Sequence, residues 1–125
     1  SFTCCDENVE NAVEFLGNAE TPIPVGVELR HRSWDENQAV VEDMLRRVHA
    51  THIVDPLAKR PAFQGDLCYY RLHGLGRQLY RYEYTGRDLA KLKDTALGKK
   101  SKETYVMFNN LSMKNDCLRF QRMLK

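Results

Sequence analysis

Apolar residues recur along this chain in two alternating rhythms, and the switches between them mark its elements. Val9, Ala12, Val13 and Leu16 share one helical face, so a helix is predicted over Asp6 to Gly17, with Asp6 as N-cap and Gly17 as stop. Pro22 and Pro24 cannot continue it, and a first strand is expected from about Val25 to Arg30. Ser33 to Asp35 offers caps for a second helix facing inward through Ala39, Val40, Met44, Leu45 and Val48. His52 to Asp55 reads as a short strand ended by Pro56. Residues 56 to 66 read as a loop with at most one helical turn. A third strand is expected from Leu67 to His73, closed by Gly74. After a polar, aromatic loop, Thr85-Gly-Arg-Asp88 has the form of a capping box for a helix through Leu89, Leu92 and Ala96. Thr104 to Asn110 is a fourth strand, and a closing helix begins near Asn115 with Leu118, Met123 and Leu124 as its apolar positions.

Strand and helix alternation of this kind implies parallel strands, because each crossover returns the chain to the same end of the sheet. Four strands with four helices in one domain, residues 1 to 125, is the expected α/β architecture. Coverage is then a difficulty. Parallel sheets are normally covered on both faces, whereas helices on a curved four-stranded segment cover only its outside. Either the helices divide over both faces of an open sheet, or this is half of a barrel.

Composition narrows the class without naming a ligand. The chain has 125 residues, 29% of them charged, and a net charge of only +2, too small to announce a nucleic-acid binder by itself. No apolar run is long enough to cross a bilayer, and the first residues lack a signal-like stretch, so a cytoplasmic protein away from membranes is expected. The chain begins without Met, which is expected from processing, truncation or a larger parent. Cys4 and Cys5 are adjacent, unlike the spaced pairs of a zinc site, and Cys68 and Cys117 fall in apolar patterns. Free thiols and no metal cluster are expected. A Walker-type loop, GxGxxG, GxSxG and HExxH are all absent, so no cofactor is specified.

The chemistry concentrates where strands end. In parallel α/β folds the ligand site lies at the carboxyl ends of the strands. Here the strands end in Glu28, Arg30 and His31; in Asp55; in Arg71 and His73; and in Asn109 and Asn110. Alternation puts Glu28 with Arg30, and Tyr69 with Arg71 and His73, on one face, while Val27, Leu29, Tyr70 and Leu72 suit packing against helices. Glu28 and His73 are therefore candidate acid/base residues, and Arg30, Arg71 and Asn109 candidate ligand contacts. A buried Glu–Arg pair can equally be structural, and Asp55 before Pro56 suits a turn. A Glu28–Asp55–His73 metal triad has no diagnostic spacing. Trp34 follows a strand end and would either stack on a ligand or pack on the rim. Arg30, Arg32, Lys59, Arg60, Arg71, Arg77 and Arg81, interleaved with Tyr80, Tyr82 and Tyr84, form the expected basic and aromatic rim, blunted by Asp35 and Glu83. Lys99, Lys100 and Lys102 precede the fourth strand and are expected as a solvated patch on the opposite face.

Several of these residues also stand in a recognisable order. Val27-Glu-Leu-Arg-His-Arg-Ser-Trp34 resembles the EFRHxSW stretch of the domain-of-unknown-function 72 (YecE-like) family, with Leu29 in place of the usual Phe. Tyr70-Arg-Leu-His-Gly74, the tyrosine-rich Tyr80 to Thr85 loop and Phe108-Asn-Asn110 are similar to later elements of that family. The segment Lys114 to Cys117 is poorer in alanine than the family tends to be. The resemblance implies a (β/α)8 TIM-type barrel of which this chain is only the C-terminal half, since that architecture usually needs roughly 250 residues. The family has no established activity; a nucleic-acid link comes only by analogy with endonuclease-IV-like barrels.

Three expectations follow: a half-barrel that binds a phosphate-bearing ligand or nucleic acid at its strand ends; a hydrolase acting on a phosphate or sugar substrate; or an assembly fragment without independent activity. The protein partner expected is a second copy or a separate N-terminal half.

Overall fold

The computed structural model describes residues 2–19, 21–98 and 101–125. Its elements run α1 (Asp6–Gly17), β1 (Gly26–Val27), α2 (Arg32–Asp35), α3 (Gln38–Arg47), β2 (Thr51–His52), β3 (Leu67–Leu72), a 3-10 turn at Leu79–Arg81, α4 (Gly86–Leu97), β4 (Glu103–Phe108) and α5 (Met113–Leu124). All described strand pairs are parallel. β1 pairs with β2, with Gly26 opposite Thr51. β3 pairs with β4 through six positions, from Leu67–Glu103 to Leu72–Phe108. The two small sheets touch at one parallel bridge, Val54 to Tyr70, where the Arg71 N–H donates to the Val54 carbonyl at 3.0 Å.

That bridge explains why the first two strands are shorter than the residue pattern suggests. The Ile53 N–H donates to the Val27 carbonyl at 2.8 Å, and at the next residue the chain turns its bonding to β3. Glu28 to Arg30 are left without a partner strand, so β1 stops at Val27 rather than Arg30. The single helix expected after Ser33 is two helices. His31, not Ser33 or Asp35, caps the short α2, its ring Nδ1 accepting the Ser33 N–H at 3.2 Å. Asn37 breaks the run, and its side-chain amide donates to the Ser33 carbonyl at 2.8 Å, satisfying a terminal acceptor of α2. In α3, Val41, Met44 and Leu45 share one face by their i, i+3, i+4 spacing and are buried, while Ala39 and Val40, on neighbouring faces, point outward. A similar correction applies to α5, which buries Asp116 and Phe120 and leaves Leu118 and Leu124 exposed. The Thr85–Asp88 capping box opens α4 as its sequence predicts.

Helices cover one side of the strands. Cys68, Tyr70 and Leu72 of β3 pack with Val54, with Leu89 and Leu92 of α4 and with Phe120 of α5. Leu29, Trp34 and Ala50 pack with Val9 of α1 and with Val41, Met44 and Leu45 of α3. Each fully buried aliphatic side chain contributes about 1.5–3 kcal/mol of transfer free energy. The opposite side is open: Tyr105 and Met107 are nearly half exposed, and Tyr69 stacks on Tyr105 at 6.0 Å. All four cysteines are free. No helix among the described residues is long and apolar enough to cross a membrane. Of the expected lysine patch, Lys99 and Lys100 lie outside the described residues, and Lys102 is exposed and paired with Asp66 at 3.3 Å.

His52 links this core to pH. It is 1% exposed; its Nδ1 accepts the Ala62 N–H at 3.0 Å, and its Nε2 has no partner among the described residues. Burial first, and then the Lys59 charge, push its pKa from 6.5 down to about 4, against the pull of Asp35. Above pH 6.5 the ring is neutral folded or unfolded. Between 6.5 and 4 the unfolded chain binds the proton and the folded one resists it, so stability falls as pH falls. Urea unfolding at pH 7 and pH 4.5 is expected to show a loss of about 2–3 kcal/mol. A His52→Gln variant, which cannot titrate, should show a clearly shallower slope; an equal slope would clear His52 of the effect.

Candidate functional site

Strand ends deliver the polar residues. Arg71 is the second-last residue of β3 and His73 lies just past it. Asn109 follows β4, its N–H donating to the Leu72 carbonyl at 2.8 Å. Since Tyr70, Leu72 and Phe108 point into the helix-covered core, alternation turns Arg71, His73 and Asn109 to the open side. Glu28 reaches the same place from the segment beyond β1.

These side chains converge on one carboxylate. Glu28 Oε2 accepts from Arg71 at 2.5 Å, and Oε1 accepts from Arg30 Nε at 3.3 Å. His73 Nε2 lies 2.9 Å from Glu28 Oε1, and its Nδ1 lies 3.0 Å from the Asn109 amide nitrogen. If Asn109 donates, Nδ1 must accept, so Nε2 carries the proton and donates to Glu28. This assignment satisfies both ring nitrogens and is inferred from the bonding pattern. Burial pushes the Glu28 carboxyl up, but the His73 hydrogen bond and the Arg71 and Arg30 charges outweigh it and hold the pKa below its ordinary value.

A second carboxyl supports the site from below. Asp55 forms the turn its sequence suggests, Oδ1 accepting the Leu57 N–H at 2.9 Å. Burial raises its pKa, against hydrogen bonds from Leu57, the His73 backbone and Tyr84 and the nearby His73 ring. The Tyr84 hydroxyl is 3.5 Å from Asp55 Oδ2 and accepts the Gly74 N–H at 2.7 Å. Burial first, then the Asp55 charge, push this phenol far above its usual range, so it stays protonated. Tyr84 therefore fixes the backbone beside His73 and offers no surface to a ligand.

The other expected site residues divide. The Tyr80 ring stands nearly perpendicular to that of His73, with 5.5 Å between centroids, and is exposed. Tyr82 is turned to α4, its hydroxyl donating to Asp88 at 2.7 Å. Trp34 is only 1% exposed, its indole N–H donating to the Phe2 carbonyl at 2.9 Å and its ring 5.2 Å from Phe2. Of its two alternatives it takes packing, in the core, and presents no stacking face. Arg32 is paired with Glu36 and Lys59 with Asp35, outside the Glu28 cluster. Arg77 and Arg81 are exposed and make no ion pair among the described residues. No group of three metal-ligating side chains forms among the described residues, so the Glu28–Asp55–His73 triad does not assemble as a metal site.

Asp116 is a structural support of the strand-end cluster that the residue pattern does not reveal. It is buried in α5, and its Oδ2 accepts from the Asn110 amide at 2.7 Å and from the Tyr84 N–H at 3.3 Å. Asn110 also donates to the Tyr82 carbonyl at 2.7 Å. Its signal was an aspartate four residues before Phe120 on the same helical face, where an unpaired charge would be costly.

Fold and cluster together define a parallel α/β domain with a polar site at its strand ends. The family described as "Protein of unknown function DUF72" matches residues 1–125, and the chain belongs to it. Two solved structures of family members resemble it. A DUF72 family protein from Thermotoga maritima MSB8 matches with a TM-score of 0.78 and 28% identity, over 99% of this chain and 54% of that one. Another from Enterococcus faecalis V583 matches with a TM-score of 0.78 and 25% identity, over 99% of this chain and 57% of that one. This chain thus spans little more than half the length of either. No curated protein matches the sequence.

Proposed function

We propose that the strand-end cluster binds a phosphate-bearing ligand, with Arg30 and Arg71 as its anion contacts, His73 and Asn109 orienting it and Tyr80 as an aromatic wall. One observation carries the reading: two guanidinium groups and an imidazole share the single carboxylate of Glu28. The directly bonded group keeps a positive surplus, and Arg30 remains 62% exposed at its edge. Guanidinium donors match phosphate oxygens in geometry as well as charge. Nucleic acid is the narrower form of this reading, supported by Tyr80 beside the cluster as a stacking ring.

The wider frame of the proposal is a C-terminal half of a (β/α)8 barrel in the cytoplasm. Parallel strands bridged at Val54 and Tyr70, helices on one side only, and an open face bearing Tyr69, Tyr105 and Met107 support it. So does a span of 54–57% of the two family structures. The open face would be covered by the remaining half or by a second copy.

A hydrolase acting on a phosphate or sugar substrate is the second reading, favoured by the two-sided grip on His73 and by the opposite pKa displacements of Glu28 and Asp55. One panel tests both. A fluorescent oligonucleotide and inorganic phosphate are titrated at two salt concentrations into wild type, Arg71→Gln and His73→Gln, each checked for folding. Arg71→Gln is expected to weaken binding roughly tenfold or more, the loss typical of a charge-assisted contact. Affinity indifferent to salt would dismiss phosphate as the recognised group. Phosphoester or glycoside turnover that survives His73→Gln would remove His73 from an acid/base role.

A further inference from the structure

We propose a second anion site, separate from the strand-end cluster, in the basic groove beside the β2–β3 connection, and that it takes a small ligand carrying a diphosphate or similar multiply charged phosphate group. This connection has no helix, so where α/β alternation would place one, residues 56–64 leave a groove of about 840 Å³ against α3 and α4. Its size falls within the roughly 300–1,000 Å³ of small-ligand sites.

Four cations line it from three parts of the chain: Arg46 in the last turn of α3, Lys59 and Arg60 in the connection, and Lys91 on α4. No carboxylate is among its lining residues. Arg46 is tied to Glu42 at 2.6 Å and lies over the Phe63 ring at 4.8 Å, and Lys59 is tied to Asp35 at 2.5 Å. Arg60 and Lys91 are exposed and have no ion-pair partner among the described residues. Arg46 and Lys59 are thus already offset by carboxylates outside the lining, and Arg60 and Lys91 leave the groove a surplus of two positive charges, which a cleft can focus on an incoming anion.

The backbone beneath two of these cations is already ordered. The Asp55 carboxylate accepts the Leu57 N–H, and its carbonyl accepts from Ala58 and Lys59 at 3.1 and 3.0 Å. Pro56 and Pro61 bracket the turn, so little loop entropy would be lost on binding. Aromatic surface argues for a small ligand over a single strand of nucleic acid. Tyr70 is fully buried and one side of Phe63 is occupied by Arg46, which leaves no platform for successive bases.

The test is an amide-shift NMR titration of the whole chain with inorganic pyrophosphate and then with ADP, at low ionic strength where surface charges are least screened. Either ligand is expected to move the Phe63, Gln64 and Thr95 amides, and the double variant R60Q/K91Q to weaken that binding by roughly tenfold or more. The Gly74 and Asn109 amides report the strand-end cluster separately, so either site can fail alone. Groove amides that stay still with both ligands, or a double variant that binds like wild type, would overturn the proposal. A single-stranded oligonucleotide that moves them when neither small phosphate does would also overturn it.

Discussion

Replacing Gly74 by alanine is expected to lower unfolding free energy by about 3–5 kcal/mol and the melting temperature by roughly 10–20 °C. Two costs combine. Gly74 has φ +101°, a conformation that L side chains rarely adopt, and an added Cβ would sit 1.7 Å from the Leu79 carbonyl oxygen and 2.5 Å from its carbon. Both atoms are backbone and cannot swing aside. Relief would require opening the loop that carries Tyr80 against His73 and breaking the Gly74 N–H bond to the Tyr84 hydroxyl. Gly76 is the internal control. It too has positive φ, at +63°, but nothing lies within 4 Å of its added Cβ. Gly76→Ala should bear only the backbone cost, about 1 kcal/mol. Calorimetry of both variants separates the terms, and equal losses would show that the contact with Leu79 is not what requires glycine.

Asp116→Ala is the second large effect, about 2–4 kcal/mol in denaturant unfolding. The substitution strands the Tyr84 N–H and one Asn110 amide proton in a dry interior, where an unmet donor costs about 1–3 kcal/mol. It also releases Arg119, which donates to Asp116 at 3.1 Å and to the Tyr84 carbonyl at 2.7 Å. Arg119 is 44% exposed and can hydrate, so its share is discounted. The loss should not stop at stability. Asn110 holds the chain as it leaves β4, so Asn109 beside His73 should loosen too. Asp116→Asn keeps one acceptor oxygen and should recover most of the stability; recovery no better than alanine would mean that the charge, not the hydrogen bonds, holds this corner.

The strand ends show how local pattern and tertiary assembly share the specification. Glu28, Arg71, His73 and Asn109 could be grouped from the residue pattern because strand alternation is a strict period of two, and a polar residue at each strand end has one open side to face. The same reasoning left Trp34 open between stacking and packing, and it placed Tyr82 on the rim. An aromatic residue with a polar edge suits a wet rim and a buried corner equally, and its partner decides which. Those partners, the Phe2 carbonyl and Asp88, were not legible as contacts in the sequence. The buried helix faces differ from expectation at Ala39, Val40 and Leu118 because neighbouring stripes lie only about a quarter turn apart, and packing against distant elements selects which one turns inward.

By itself, then, the amino-acid order determined the alternation of elements, the parallel sense of the strands, the capping of α4 and the polar character of the strand ends, all set by short-range sterics and periodicity. Only the tertiary structure decided that β1 stops at Val27, that three cationic or titratable groups share Glu28, and that Lys59 and Arg60 line a groove of their own. Those outcomes depend on which distant backbone meets which. Pairing between segments 40 or more residues apart, as for Glu28 with Arg71 and His73, leaves no mark in any local window.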